Sequence, residues 1–430
     1  MANWSGAWPG LVGLLNINAS LTKAGMEYGT IWSEDFYNAY FLNCLKRLLQ
    51  SGSISPDVSH VHRDDGSEVP GDVAKIGIES ARKLRAQRAI MGIFDGGRMG
   101  MYNAMILAEL LQPLVIYKKR LNLSSLYAKM QTVSDIEAGK VFNWLEAKGM
   151  RFHLGASKET SLTESQIIHQ CKMSIAALRI ADEFGCALIE IQYQQGLEDL
   201  RPASDLAEGP FNNIDRPLVC HEETKSKQFP GEALPHFNEA VECAGVDALI
   251  TNRVWRQLGY PPETTLHGIK WGRRLKGDGI DESVWVFDIS ASIPAAYIDC
   301  GYSEAVSERQ LPVYFRLGGG TLKGVSKPGS IAWSRLFIEG GKLKWDIELG
   351  KAVKLPKEET EERSNLTNRE WPMMHTELKG GTRGQMMARH EANHIQVAYA
   401  PDEKRARRTL YAKAAAMNEL GVDAYICGRV

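Results

Sequence analysis

The hydrophobic pattern changes period along the chain, and each change marks an element. Over 74–87, AKIGIESARKLRAQ, apolar positions recur at helical spacing, and RAIMGIFD (88–95) then runs as an apolar stretch into a glycine turn, which reads as a buried strand. GGRMGMYNAMILAELLQ (96–112) reads as loop into helix, and LVIYKK (114–119) as another strand. The clearest helix is TESQIIHQCKMSIAALRIADEFG (163–185), where Thr163 can cap, Gln166 sits three residues on and Gly185 is placed to stop it. CALIEIQY follows as a strand. The order recurs in GEALPHFNEAVECAG, read as helix, and VDALITN (246–252), read as strand. This repetition predicts a parallel α/β sheet with right-handed crossovers, whose ligands gather beyond the strand C-termini.

From about residue 268 the pattern is strand-like with glycine-rich turns: ESVWVFDISAS, LPVYFRLGGG, SIAWSRLFIEGGKLKWDIELG and HIQVAYA. It predicts a β-rich region forming a partly closed barrel. Residues 356–370 read as a polar loop or solvated helical turn. A last helix, about 402–420, leads to a short strand in DAYICG.

Composition narrows the class. A chain of 430 residues suits two or three domains, and 44% apolar with 24% charged residues is the balance of a globular protein in water. A formal net charge of -1 gives no support to a nucleic-acid surface. The opening stretch lacks a basic n-region, and its apolar run is too short to span a bilayer. Seven cysteines without CxxC spacing favour a reducing, cytoplasmic compartment and give nothing for a zinc site.

Candidate chemistry gathers at predicted strand ends. Glu222, in DRPLVCHEET, is either a wetted strand end or a carboxylate serving a metal or a proton. Gln192 and Gln194 lie on one face of an extended segment, and Asn252 is either a helix cap or a polar group at a strand end. FDGGRMGMYN is not GxGxxG, and its Arg98 would meet an anionic oxygen or a neighbouring carboxylate. His390 and His394 are four apart without forming HExxH, and His394 sits on a loop entering a strand. Ser290, Ser292, Tyr314, Trp333 and Trp371 would either line a sugar-sized pocket or serve as core and turn residues. Pattern and spacing reach a soluble α/β enzyme with a carboxylate-containing cleft at strand ends.

The segments LPVYFRLGGG, SIAWSRLFIEGGKLKWDIELGKAVKLP, TNREWPMMH and ANH resemble the C-terminal region of the L-fucose isomerase family. FDGGRMGMYN, CALIEIQYQQG, DRPLVCHEET and GVDALITNRVW resemble its middle domain, so the similarity covers almost the whole chain in order. The resemblance implies a Rossmann-like parallel-sheet domain over 1–240, without the family's first N-terminal domain. A C-terminal α/β domain with a β-barrel element would follow over 241–430. It implies conversion of an aldose to a ketose through an enediol, with Mn2+ or Mg2+ and a small sugar or sugar-acid substrate, in a homo-oligomer, trimer or hexamer. The family's metal-binding glutamate falls on Glu222 and its histidine on His394. Substrate contacts fall on Gln192, Ser292 (or Ser290), Tyr314, Trp371 and Asn393. The family's second carboxylate, an aspartate, falls on Asn252, with Asp247 at nearly the raw spacing. An amide is no base. Glu222 would therefore carry the proton chemistry, with Glu223 or Glu391 in compensation. Otherwise the reaction differs, as in epimerisation, or the chain is a non-catalytic carbohydrate-binding relative.

Overall fold

In the first half of the chain the helix and strand periods form the elements they predict. The computed structural model describes residues 2–3, 10–33, 36–66, 69–95, 101–275, 283–288, 292–390, 392 and 394–428; Arg98, Ser290, Glu391 and Asn393 lie outside them. In chain order come β1 (Val61–Arg63), α1 (Gly71–Gln87), β2 (Ala89–Phe94), β3 (Ile116–Leu121), α2 (Leu123–Thr132), α3 (Glu164–Glu183) and β4 (Cys186–Ile191). The expected capping box of α3 is present, with Thr163 and Gln166 bonded reciprocally, and Gly185 after it adopts φ +62°. β3, β2 and β4 pair in that order as a three-stranded parallel sheet. An isolated parallel bridge from Ile189 to His236 lays a later piece of chain along the free edge of β4.

The second half contributes α4 (Glu242–Leu258), β5 (Thr265–Arg274), β6 (Ser283–Asp288), β7 (Gly329–Glu339), β8 (Lys342–Ala352), α5 (Lys357–Asn365), β9 (Met373–Leu378), β10 (His394–Tyr399), α6 (Glu403–Glu419) and β11 (Asp423–Cys427). Six of these strands pair antiparallel in the order β7–β10–β5–β6–β9–β8, and β8 pairs back onto β7, closing the ring. Closure removes the free edges that an open sheet would present. The β7–β8 hairpin turns on Gly340 and Gly341, both at positive φ (57° and 72°), which a two-residue turn of this kind demands. The architecture is thus mixed α/β, and the barrel element expected from the strand-like half is present as a closed ring.

Elements from before residue 240 build onto this ring. β1 pairs with β11, which lies parallel beside β8. α1 packs against α6 so closely that a Cβ on Gly77 would stand 2.1 Å from the Ala412 carbonyl oxygen. Among the described residues no helix is long and apolar enough to cross a membrane.

Three stretches differ from the expectation. Residues 246–252 lie within helix α4, because every residue from Glu242 to Asn252 is buried and a helix without a polar face loses the signal that separates it from a strand. LPVYFRL (311–317) forms turns at 312–314 and 316–317 instead of a strand. DRPLV is irregular, with only a bridge between Cys220 and Lys227.

Burial also makes the fold acid-sensitive. His236 is pushed down to about 4, and His267 and His375 to about 3, burial being the first cause in each. Both ring nitrogens of His267 and of His375 lack a hydrogen-bond partner among the described residues. A folded pKa below the unfolded value of about 6.5 means the unfolded chain binds more protons in between. These histidines therefore give stability that is intact above pH 6.5 and is lost as pH falls towards 3–4, by up to about 1.4 kcal/mol per pH unit for each. Urea unfolding at pH 7 and pH 5 should give a lower midpoint at pH 5; equal midpoints would contradict this.

Candidate functional site

The carboxylate that meets His394 belongs to Glu239. The chain runs beside β4 through Pro235 and His236, with the Ile189 N–H donating to the Pro235 carbonyl at 3.1 Å, and then turns at Asn238–Ala240 before entering α4. Glu239 therefore stands past the C-terminal end of a parallel sheet edge, where α/β folds collect ligands. Its backbone is left-handed, φ 63° and ψ 25°, which costs a non-glycine residue energy and recurs at functional positions. Phe237, fully buried, holds the turn by packing on Gly245 of α4, where a Cβ would lie 2.5 Å from the ring. Gly245→Ala should therefore displace Phe237, costing about 1–3 kcal/mol as an overpacked core does. It should also slow any reaction that depends on Glu239. Urea midpoints and turnover measured together check this, and wild-type values for both would refute it.

His394 opens β10, and its Nε2 lies 3.5 Å from Glu239 Oε2; the side chains are 5% and 22% exposed. Burial, reinforced by the nearby Lys270 and His267, pushes the imidazole down to about 3, so it is neutral at physiological pH. Its Nδ1 has no partner among the described residues. Burial raises the Glu239 carboxyl above its ordinary value, and Lys270 partly offsets this. A neutral imidazole facing a part-buried carboxylate is not an ion pair; the two offer ligand atoms to a third centre.

Around these two stand polar and aromatic groups. Lys270 occupies a register shift in β5, between Ile269 and Trp271, and its Nζ lies 4.9 Å from the centre of the Trp371 ring. Trp371 Nε1 donates to Gln310 Oε1 (3.0 Å), and Gln310 Nε2 donates to Asp205 Oδ2 (2.8 Å), fixing the indole. Tyr314 lies 5.8 Å from Trp371, ring to ring, and its hydroxyl is raised by burial and by Glu239. Gln192 follows β4, the strand against which the 238–240 turn packs; it is fully buried, and neither side-chain polar atom has a partner among the described residues. Glu208 accepts the Ile191 N–H at 3.1 Å, and burial, then Asp205, push it well above the carboxylate range, with Glu239 adding to the shift.

Tyr314 and Trp371 thus stand together, His394 faces Glu239, whose charge acts on Tyr314, and Gln192 follows the strand against which the Glu239 turn packs. Ser292 is buried against Leu322 and Gly209, with its hydroxyl unpartnered among the described residues. Glu222 does not join the group. It sits in the turn after Cys220, where Lys129 (3.3 Å), Thr132 (3.1 Å) and Arg179 (3.2 Å) bind its carboxylate. Asn252 is interior to α4, and its amide donates to the carbonyls of Ala233 (3.3 Å) and Pro262 (3.1 Å). Asp247, on the same helix, is ion-paired to Lys413 and accepts from Ser334 Oγ at 2.9 Å.

Sequence reasoning missed Glu239, Lys270 and Glu208. Glu239 was readable only as the acid preceding a helix, a signal hidden once the helix was placed over 231–245. Among the described residues no three His, Cys, Asp or Glu side chains are arranged to hold a metal. A scan against protein-family models found none that matches this chain, and a search of curated proteins found no match either.

Proposed function

We propose that this chain is a carbohydrate isomerase of the L-fucose isomerase kind, interconverting an aldose and a ketose with Glu239 as the proton carrier. The observation that carries the reading is the part-buried Glu239 carboxylate, 3.5 Å from a neutral imidazole and near enough to Tyr314 of the Trp371–Tyr314 face for its charge to act there. Two ligands of one divalent cation, each about 2.1 Å from it, stand roughly 3.0–3.4 Å apart, close to the separation of Glu239 and His394. The carboxylate oxygen suits manganese or magnesium, and the neutral imidazole nitrogen is the softer, transition-metal ligand of the pair. Glu239 and His394 would hold the ion, which when bound supplies positive charge where an oxygen gains negative charge.

The chain's own groups do the rest. The aromatic pair gives an apolar face for a sugar, and the unspent amide of Gln192 orients a hydroxyl. Glu239 takes the proton from C2 of the open-chain aldose. The C–H electron pair becomes the C1–C2 double bond, and O1 takes a proton, giving an enediol. Glu239 then returns a proton to C1 while O2 loses its own and becomes the ketone oxygen. A carboxyl whose pKa is raised towards neutrality is a stronger base when ionised and still a usable acid when protonated, which suits both taking the proton from C2 and returning it to C1. The Rossmann-like assignment of the parallel sheet, a trimeric or hexameric assembly and a cytoplasmic setting belong to the same proposal.

Incubation with aldoses, ketoses and sugar acids in deuterated water tests it. Deuterium at C1 or C2 together with the isomeric product is expected. Deuterium with inversion at C2 and no ketose would point to epimerisation, and no incorporation with any sugar would sink the enzyme reading.

A further inference from the structure

Lys270 is a cation of this site that no carboxylate claims among the described residues. Among the described residues no Asp or Glu lies within ion-pair distance of its Nζ, although Glu239 is near enough for the two charges to act on one another. Glu239 is turned to His394, and the lysine is laid over the Trp371 ring, half-buried. An aromatic face attracts an ammonium but accepts none of its hydrogen bonds in the way an anion does, so its N–H donors stay available.

The position is built. The bulge at Lys270 inserts one extra residue in β5 against β6, and bulges re-aim a side chain beside a site. Trp371, which sets the height of the ammonium, is itself fixed through Gln310 to Asp205. A lysine on a fixed indole, beside the carboxylate that would work on C1 and C2, can recognise a second charge on the same small molecule.

We propose that Lys270 selects an anionic sugar, one bearing a carboxylate or a phosphate, over its neutral counterpart. This rests on the sugar-site reading above. A charge-assisted hydrogen bond to ammonium is about twice as strong as a neutral one, and one unit of pKa-scale energy is a factor of ten, so a preference of about tenfold or more is expected.

The test is binding of D-glucuronate, D-galacturonate, D-glucose 6-phosphate, D-glucose and D-galactose, by isothermal titration, to the wild type, Lys270→Gln and Lys270→Arg. Deuterium incorporation into the same compounds runs in parallel. The wild type should bind at least one anionic compound about tenfold more tightly than its neutral counterpart. Lys270→Gln should bring that ratio to about one, and Lys270→Arg should keep most of it because the cation remains. Comparing glucuronate with glucose 6-phosphate identifies the anion. Equal wild-type binding of neutral and anionic partners, a ratio unchanged in Lys270→Gln, or no binding by any of the five would overturn the inference. Anion preference that depends on Lys270 but comes without deuterium incorporation supports it and counts against the isomerase reading alone.

Discussion

Replacing Glu239 by glutamine should lower deuterium incorporation into a responsive sugar by about 10²–10⁴-fold, the range that positioned acid–base groups contribute. The amide keeps the size and shape of the side chain, so the left-handed turn at 238–240 and the packing of Phe237 on Gly245 stay in place. What disappears is the negative charge facing His394 and the ability to hold a proton from carbon. Glu222→Gln makes the matched comparison and should leave the rate within about twofold, as surface changes usually leave what they do not touch. Its carboxyl lies below the ordinary value: burial pushes it up, but hydrogen bonds from Lys129 and Thr132 and the charges of Lys129 and Arg179 outweigh that. Such a carboxylate is committed to its neighbours and is a poor base. A fall of equal size in both variants would contradict the assignment.

The second large effect lies beneath the site. Asp247→Ala should destabilise the fold by about 3–5 kcal/mol, the cost of breaking a buried ion pair from one side. Asp247 on α4 meets Lys413 on α6, both essentially without exposure, and Ser334 on β7 donates to its other oxygen. The Trp345 ring lies 5.0 Å from the lysine Nζ and cannot replace the lost charge. Burial lowers the Lys413 pKa despite Asp247, so the uncompensated lysine would lose its proton or draw in water. The double variant Asp247→Ala, Lys413→Met leaves no buried charge and should recover part of the loss. Urea midpoints for the wild type and these two variants measure this, and Asp247→Ala within about 1 kcal/mol of wild type would refute it. The consequence reaches the site, because α4 begins three residues after Glu239 and this pair is what ties it to β7 and α6.

Where local chemistry decides the structure, the sequence reveals it. The capping box of Thr163 and Gln166, the two glycines between β7 and β8, and the alternation of HIQVAYA are each legible, and each is present. α4 was not legible, because a helix buried on all sides carries an apolar run as continuous as that of a strand. That one ambiguity moved the carboxylate: with 246–252 read as a strand, Asn252 fell at a ligand edge and Glu239 fell inside a helix. The irregular segment that runs beside β4 and delivers Glu239 is joined to it by a single bridge, which no periodicity encodes. Lys270 depends on a bulge, and a one-residue insertion between strands is a property of the pair. His394 sits at the start of a strand, and Tyr314 and Trp371 sit among turns whose place the neighbouring strands fix.

The most direct test is manganese binding, followed by electron paramagnetic resonance, in the wild type, Glu239→Gln, His394→Ala and Glu222→Gln. If Glu239 and His394 are the protein's ligands, the wild type and Glu222→Gln bind the ion alike while the other two lose it. Retention in Glu239→Gln together with loss in Glu222→Gln would contradict the account.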